Sequence, residues 1–397
     1  MQKLIDSWRR HSALEARGRI PALDGLRAFF VFSIVAYHFW QQSWLTPTFT
    51  LFGTFISLDP WLRTGYLWVD GLLLLSGFLL YLPWARAREA GRKPPGFQGF
   101  YRRRAARVLP SYLLHVLLVF VLVALPQGGY PSPGAALFDL LAHLSFTQPW
   151  FASTSMNTQI NGALWTLAVE VQFYLLFPLL ARAFNRLPLT TWLGGAAIAF
   201  LYRGYAMLQG HTPMLVNQLP GFLDVYLNGF VLAWVYARLE KSARDDGLHR
   251  ALMGAVLLAA VIGLAALLRH QAAQRQVIDL RVSQLMIRFP QSVLTGLLML
   301  GACFGPGAIR MLLGNRVTRL LGALSYQVYL WHQVVAQQLL RWRFPPSVNQ
   351  HPYMVGERAW QLGFLVSALA LTLLISLAAH YLVERPMRRR ILRGAGR

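Results

Sequence analysis

Ten stretches of this chain are apolar over the length of a bilayer crossing, and no other feature restricts the fold as much. A spanning helix needs about 20 mostly apolar residues. Candidates fall at 21–41, 64–83, 107–126, 163–181, 188–207, 220–237, 251–268, 289–305, 317–340 and 360–383. The expected fold is an all-α polytopic membrane protein, a bundle of about ten transmembrane helices. Segment 135–147 is apolar but too short to span, which suits an interfacial position. Only 13% of the 397 residues are charged, about half the share of an average soluble chain. A soluble enzyme and a disordered chain are both excluded on that ground.

The charges that remain are lopsided: 38 Lys+Arg against 15 Asp+Glu, a formal net charge of +23. Such an excess suits a nucleic-acid binder, but here it sits in short runs between apolar stretches. The better reading is a bilayer protein with basic cytoplasmic loops and no nucleic-acid partner. Of the basic residues, 28 fall on the side that holds both termini and eight on the other, with Arg27 and Arg203 inside spans. The positive-inside rule then puts both termini in the cytoplasm. The loop 269–288 is the exception, with four arginines on the outer side. The chain divides into a basic segment 1–20, a transmembrane domain 21–386 and a basic tail 387–397. The first nineteen residues lack the apolar core of a signal peptide, so the first span is expected to target the chain to the membrane. The lone Cys303 excludes an internal disulfide and reads as a packed apolar side chain.

Ionisable groups at membrane depth are costly and point to function. Arg27 and His38 are eleven residues apart in the first span, almost three helical turns, so they share a face about 16 Å apart. Glu170, in the fourth span, is expected about 10 Å deep, near the layer of His38. A carboxylate on one imidazole nitrogen raises the basicity of the other, so His38 and Glu170 are candidates for a base and its orienting partner. Tyr174 follows on the same face. Arg104 and Arg107 share a face at the cytoplasmic start of the third span, where guanidinium forks and a helix N-terminus suit phosphate. Tyr329 and His332 share a face of the ninth span. Each pattern has a plainer competitor: a snorkelling arginine, a histidine bonded to a neighbouring helix, a structural ion pair or an ordinary basic anchor. Asp70 and Asp224 are further charges within spans without an assigned role.

The chain has no HExxH, GxSxG or Walker A motif. No histidine is followed five residues later by aspartate, and the first outer loop has a single acid, Asp59. What is left is chemistry with a base and a bound activated donor, without metal.

The sequence PALDGLRAFFVFSIVAYHF (21–39) resembles the first helix of the acyltransferase-3 family of integral-membrane O-acyltransferases, with its Arg and His at Arg27 and His38. VDGLLLLSGFLL (69–80) resembles the second helix, with Asp70, Ser76 and Gly77. The stretch Arg104 to Pro110, LWTLAVEVQFYLLFP (164–178), LGALSYQVYLWHQ (321–333) and YLVERP (381–386) match further motifs in family order. Thr166 stands where serine is commoner, and Val171 where a second glutamate is frequent, so Glu170 would act without a paired acid. The hydrolase-like extracellular domain of some members is not found in this sequence.

The resemblance implies transfer of an acyl group, usually acetyl, from cytosolic acyl-CoA to a hydroxyl of a glycan or related acceptor, with no bound cofactor and no metal. It makes His38 the general base, Glu170 its orienting group, Arg104 and Arg107 the phosphate ligands, and Arg27 a donor ligand or the partner of a buried acid. Asp70, Ser76, Tyr174, Tyr329 and His332 become residues expected to line the site. An acyl-histidine intermediate stays open, as do the acceptor and the oligomeric state, and the bacterial inner membrane is the expected location. A glycan or lipid transporter is the rival class, since buried charges in a ten-helix bundle suit it too. It would more often show inverted repeats, and none is visible.

Overall fold

The computed structural model describes residues 20–209, 212–242, 246–274 and 277–393. The basic segment 1–20 lies outside them except for Ile20, as do the last four residues of the basic tail.

Nearly all of the described chain is helical. Helix α1 (Pro21–Ser43) begins on a proline, whose fixed φ suits a first turn. It is followed by a hairpin of β1 (Thr48–Leu51) and β2 (Thr54–Ser57), antiparallel with Leu51 opposite Thr54. Its two-residue turn, Phe52-Gly53, has positive φ at both positions, as the twist of a tight hairpin requires. Then come α2 (Trp68–Glu89), α3 (Phe100–Val119), which continues through a π-helical turn Phe120–Ala124, and α4 (Pro133–Leu144). The bundle is completed by α5 (Trp165–Arg186), α6 (Pro188–Leu208), α7 (Leu223–Ser242), α8 (Gly247–Ala273), α9 (Val277–Phe304), α10 (Gly307–Gly314) and α11 (Arg316–Arg341). After α12 (Arg358–Ala379) a second π-helical turn, His380–Glu384, leads into α13 (Arg385–Arg393).

Among the described residues eight helices are long and apolar enough to cross a membrane: α1, α2, α3, α5, α7, α8, α9 and α12. The other two expected spans, at 188–207 and 317–340, are the helices α6 and α11. Their polar side chains explain their low hydropathy. In α11, Gln327 and His332 are fully buried, absorbed by neighbouring helices rather than shown to lipid. Helix α4 has the expected interfacial length.

Backbone proximity sets the packing. Helices α2 and α7 cross where a side chain at Gly229 would meet the Leu74 carbonyl oxygen at 2.5 Å. Helices α1 and α11 meet where one at Gly322 would stand 2.5 Å from the Asp24 oxygen. Without a hydrophobic drive between helices in lipid, small residues at the seams give the close approach that dispersion needs.

Two of the expectations are corrected. Helix α9 starts at Val277, twelve residues before the expected span, because Arg281 and Arg288 disguise its first turns. Arg288 is fully buried, with Nε 3.2 Å from Asp70 Oδ2 and its guanidinium 3.8 Å above the Phe222 ring. Arg203 pairs with Asp224 at 2.5 Å, and both arginines donate to the Gly221 carbonyl. Part of the arginine excess at 269–288 is thereby a neutralised interior pair rather than an outer loop. Asp70, expected to line the site, belongs to this scaffold pair; a buried cation requires a partner anion.

Candidate active site

The site is built where α1, α2, α3, α5 and α11 converge on a cavity of about 180 Å³. Val31, Leu72, Leu73, Leu75, Leu79 and Leu80 supply its apolar wall, and Arg27, Arg104, Arg107, Ser76, Glu170 and Tyr174 its polar groups. Helical periodicity accounts for the convergence. Arg104 and Arg107 lie three residues apart on α3, and Glu170 and Tyr174 four apart on α5, so each pair points one way.

Glu170 is the hub. One of its oxygens accepts from the Ser76 hydroxyl at 3.0 Å and from the Tyr174 hydroxyl. It faces Arg27, Arg104 and Arg107. Arg104 also lies 5.7 Å from the Tyr174 and Phe100 ring centres. Arg27 keeps Asp24 at 3.5 Å on its own helix. One carboxylate among three guanidiniums leaves the cavity net positive, an environment suited to an anionic ligand.

A second cavity of about 420 Å³ adjoins the first, and both are lined by Arg27, Leu79, Arg107, Ser325 and Tyr326. It opens toward α13, whose Arg385, Arg388 and Arg389 line it together with Arg319 of α11. Ser325, Tyr326, Arg319, Arg388 and Arg389 were not singled out from sequence, and Arg385 was noted only within the motif at 381–386. The basic tail was legible as charge, but not as the wall of a cavity.

His38 lines neither cavity. At the far end of the smaller one stands Tyr329, whose hydroxyl donates to the Ala163 carbonyl at 3.1 Å and bonds Thr166 at 2.8 Å. Behind Tyr329 lies His332, ring centres 5.5 Å apart, and beyond it His38, 5.1 Å from His332. His332 is fully buried; its Nδ1 donates to the Tyr329 carbonyl at 2.8 Å, and Nε2 has no partner among the described residues. Tyr329 and His332 are thus neighbours as expected, but His332 stands behind the cavity wall.

The expected bond between Glu170 and His38 is not made. His38 Nδ1 lies 3.1 Å from the Gln41 side-chain oxygen, while the Gln41 amide nitrogen donates to Tyr37 at 2.8 Å. An amide oxygen only accepts, so His38 carries its hydrogen on Nδ1 and presents Nε2 as the free lone pair. The reason is depth. Residues 130–161 cover the start of α5, where the Gln148 amide donates to the Leu164 carbonyl at 3.1 Å. Asp139 accepts there from Tyr130, Thr158 and the Gln159 amide, and Asn161 donates to the Leu330 carbonyl. Helix α5 therefore starts beneath this cover, with Ala163 and Leu164 buried. Glu170 is carried down to the layer of Arg27, while His38 stays above.

A family model described as "Acyltransferase domain" matches residues 20–377. Acyltransferase MdmB of Streptomyces mycarofaciens is 29% identical over 205 residues, 51% of this chain and 50% of that protein. O-acetyltransferase OatA of Staphylococcus aureus is 30% identical over 169 residues, 40% of this chain and 24% of that protein. The putative peptidoglycan O-acetyltransferase YrhL of Bacillus subtilis is 25% identical over 397 residues, 93% of this chain and 55% of that protein. The chain spans about half the length, or less, of these relatives. No solved structure matches it.

Proposed function

Because this chain belongs to the acyltransferase family whose model runs from residue 20 to 377, we propose that it is a bacterial inner-membrane O-acyltransferase. It moves an acyl group, acetyl in the first instance, from cytosolic acyl-CoA to a hydroxyl of a glycan or glycosylated acceptor. The observation that carries this reading is the joined pair of cavities: Arg27 and Arg107 line both, the larger adds four further arginines, and the smaller adds Arg104 within a leucine-rich wall. Such a path suits a donor with an anionic head and a long neutral arm. The arginine-rich face, with both ends of the chain, is cytoplasmic, and the hairpin of β1 and β2 is external.

In this scheme Arg27 and Arg107 hold donor phosphates at the neck between the cavities, and Arg104 sits deeper beside Tyr174. Glu170 is a positioning residue that offsets these cations and holds Ser76 and Tyr174. His38 is the general base. Its Nε2 takes the hydroxyl proton as the acceptor oxygen attacks the thioester carbonyl. The carbon–sulfur bond then breaks, and the proton passes to the departing thiolate. Histidine in this role contributes about 10²–10⁴ in rate. Gln41 holds the reactive tautomer, and Tyr329 separates donor from base until the acyl end moves past it. The name of the Bacillus subtilis relative makes peptidoglycan the first acceptor to try.

Purified protein given radiolabelled acetyl-CoA and a glycan acceptor should release labelled ester. His38→Ala should abolish the product while the protein accumulates normally. Undiminished product from His38→Ala would remove the base assignment, and movement of the glycan without acylation would move the chain to the transporter class.

A further inference from the structure

The larger cavity holds more positive charge than two phosphates need. Six arginines line it, from α1, α3, α11 and α13, against two acids, Asp24 and Glu384. Both acids are engaged: Asp24 pairs with Arg27 at 3.5 Å, and Glu384 bonds Gln327 at 2.9 Å and His380 at 3.0 Å. With Arg388 set aside because it has an interaction of its own, five arginines still face those two acids. They are graded along the path. Arg27 and Arg107 are shared with the inner cavity, whereas Arg319, Arg385, Arg388 and Arg389 line only the outer one.

We infer that Arg319 and the α13 arginines form a second anion subsite that takes the 3′-phosphate of the CoA nucleotide. The chain would thereby select acyl-CoA over donors that carry the same acyl-pantetheine arm without that phosphate. The inference rests on the acyl-CoA reading above. Its argument is the order of groups in the donor. With the thioester threaded inward, the pantetheine arm fills the leucine-lined cavity and the diphosphate reaches the neck at Arg27 and Arg107. The ribose 3′-phosphate then falls further out, where Arg319, Arg385 and Arg389 line the cavity. A diphosphate and a phosphate monoester together carry about four negative charges, an anion suited to this arginine-rich lining. Guanidinium is the side chain suited to multidentate phosphate binding. Tyr381 lines the same cavity, and the Arg385 guanidinium lies 5.3 Å from its ring centre, which holds that arginine at the wall.

The test uses the intact protein in nanodiscs of zwitterionic lipid, titrated with CoA and with 3′-dephospho-CoA. The wild type should bind CoA about 10–100-fold more tightly, the range of one to two charge-assisted contacts. Arg385→Ala with Arg389→Ala should weaken CoA to the level of 3′-dephospho-CoA and leave 3′-dephospho-CoA unchanged. Arg385→Lys with Arg389→Lys, which keeps the charge, should restore most of the preference. Arg390→Ala, on the same helix but outside the cavity lining, should change neither ligand.

Equal weakening of both ligands would overturn the assignment, since the α13 side would then serve the whole anion rather than one phosphate. Equal wild-type affinities would overturn it as well. So would competitive displacement of CoA by phosphatidylglycerol added to the nanodiscs, which would make the subsite a lipid headgroup site. Wild type that binds neither nucleotide would refute the donor reading and this subsite together. That result differs from the others, all of which require CoA to bind.

Discussion

Replacing Asp70 by asparagine tests whether the buried charges of α2 and α9 are scaffold or chemistry. Asp70 is 3% exposed and Arg288 fully buried, and the substitution removes the anion and keeps the shape. Breaking a buried pair by deleting one charge costs about 3–5 kcal/mol. Arg288 would keep the Val216 and Gly221 carbonyls, at 3.2 and 3.3 Å, and the Phe222 ring. The loss should therefore fall near the lower end, about 3 kcal/mol. Arg288→Met alone, which strands Asp70, should cost at least as much. The pair Asp70→Leu with Arg288→Met should recover most of the stability, because apolar replacement of a buried ion pair is often neutral. Thermal unfolding in detergent can be followed with a thiol-reactive dye, since Cys303 is the sole cysteine and half-buried. The ordering of the midpoints is the decisive quantity: both single variants low, the double variant high. Acyl transfer per folded molecule should be unchanged in the double variant. A single variant with an intact midpoint and no transfer would refute the scaffold reasoning.

Four further outcomes follow. Gln41→Leu frees the His38 Nδ1 hydrogen from its partner, so kcat should fall about 10–100-fold with KM for acetyl-CoA unchanged; an equal change in KM would mean Gln41 touches the donor. Glu170→Gln keeps an acceptor for Ser76 and Tyr174 but removes the charge facing three guanidiniums, so KM for acetyl-CoA should shift while the His38 tautomer stays put; a change confined to kcat would argue that Glu170 does act on His38. A reporter joined after residue 145 should read as external, and a cytosolic signal would invert the orientation. Glu357, just before α12, accepts from the Asn349 side chain at 2.8 Å and from the Val348 and Asn349 amides at 3.1 Å, which holds its carboxyl below the ordinary range. A depressed value stabilises the loop above the ordinary carboxylate pKa and loses that stability only as pH falls through the lower one. Hydrogen-exchange protection at Val348 and Asn349 should therefore persist into mild acid, and its loss while Glu357 is still ionised would contradict the assignment.

Within-helix geometry was legible from the sequence because periodicity is local. Arg104 with Arg107, Glu170 with Tyr174, and Tyr329 with His332 all share faces as spacing required. Pairings across the bundle were not legible. Asp70 meets Arg288 and Ser76 meets Glu170 across 218 and 94 residues, and nothing in either local stretch names its partner. Relative depth failed for a related reason. The layer of Glu170 depends on where α5 begins, and that is set by a covering segment whose long-range polar contacts, such as Asn161 to the Leu330 carbonyl, cannot be read from its apolar pattern. The hairpin escaped notice because its turn is Phe-Gly rather than Asn-Gly. Helix α10 escaped because its eight residues sit in what reads as a basic loop.

The hydroxyl of Tyr329, tied to Thr166 and Ala163, has a consequence for economy of turnover. Under the proposed donor reading, a thioester held on the cavity side of that ring would be screened from His38, which stands behind it and His332. The loaded protein would be a stable resting form, and acyl groups would be spent only when an acceptor arrives to shift the ring. Tyr329→Phe removes both bonds and should turn this thrift into leakage, seen as acetyl-CoA hydrolysis without any sugar present.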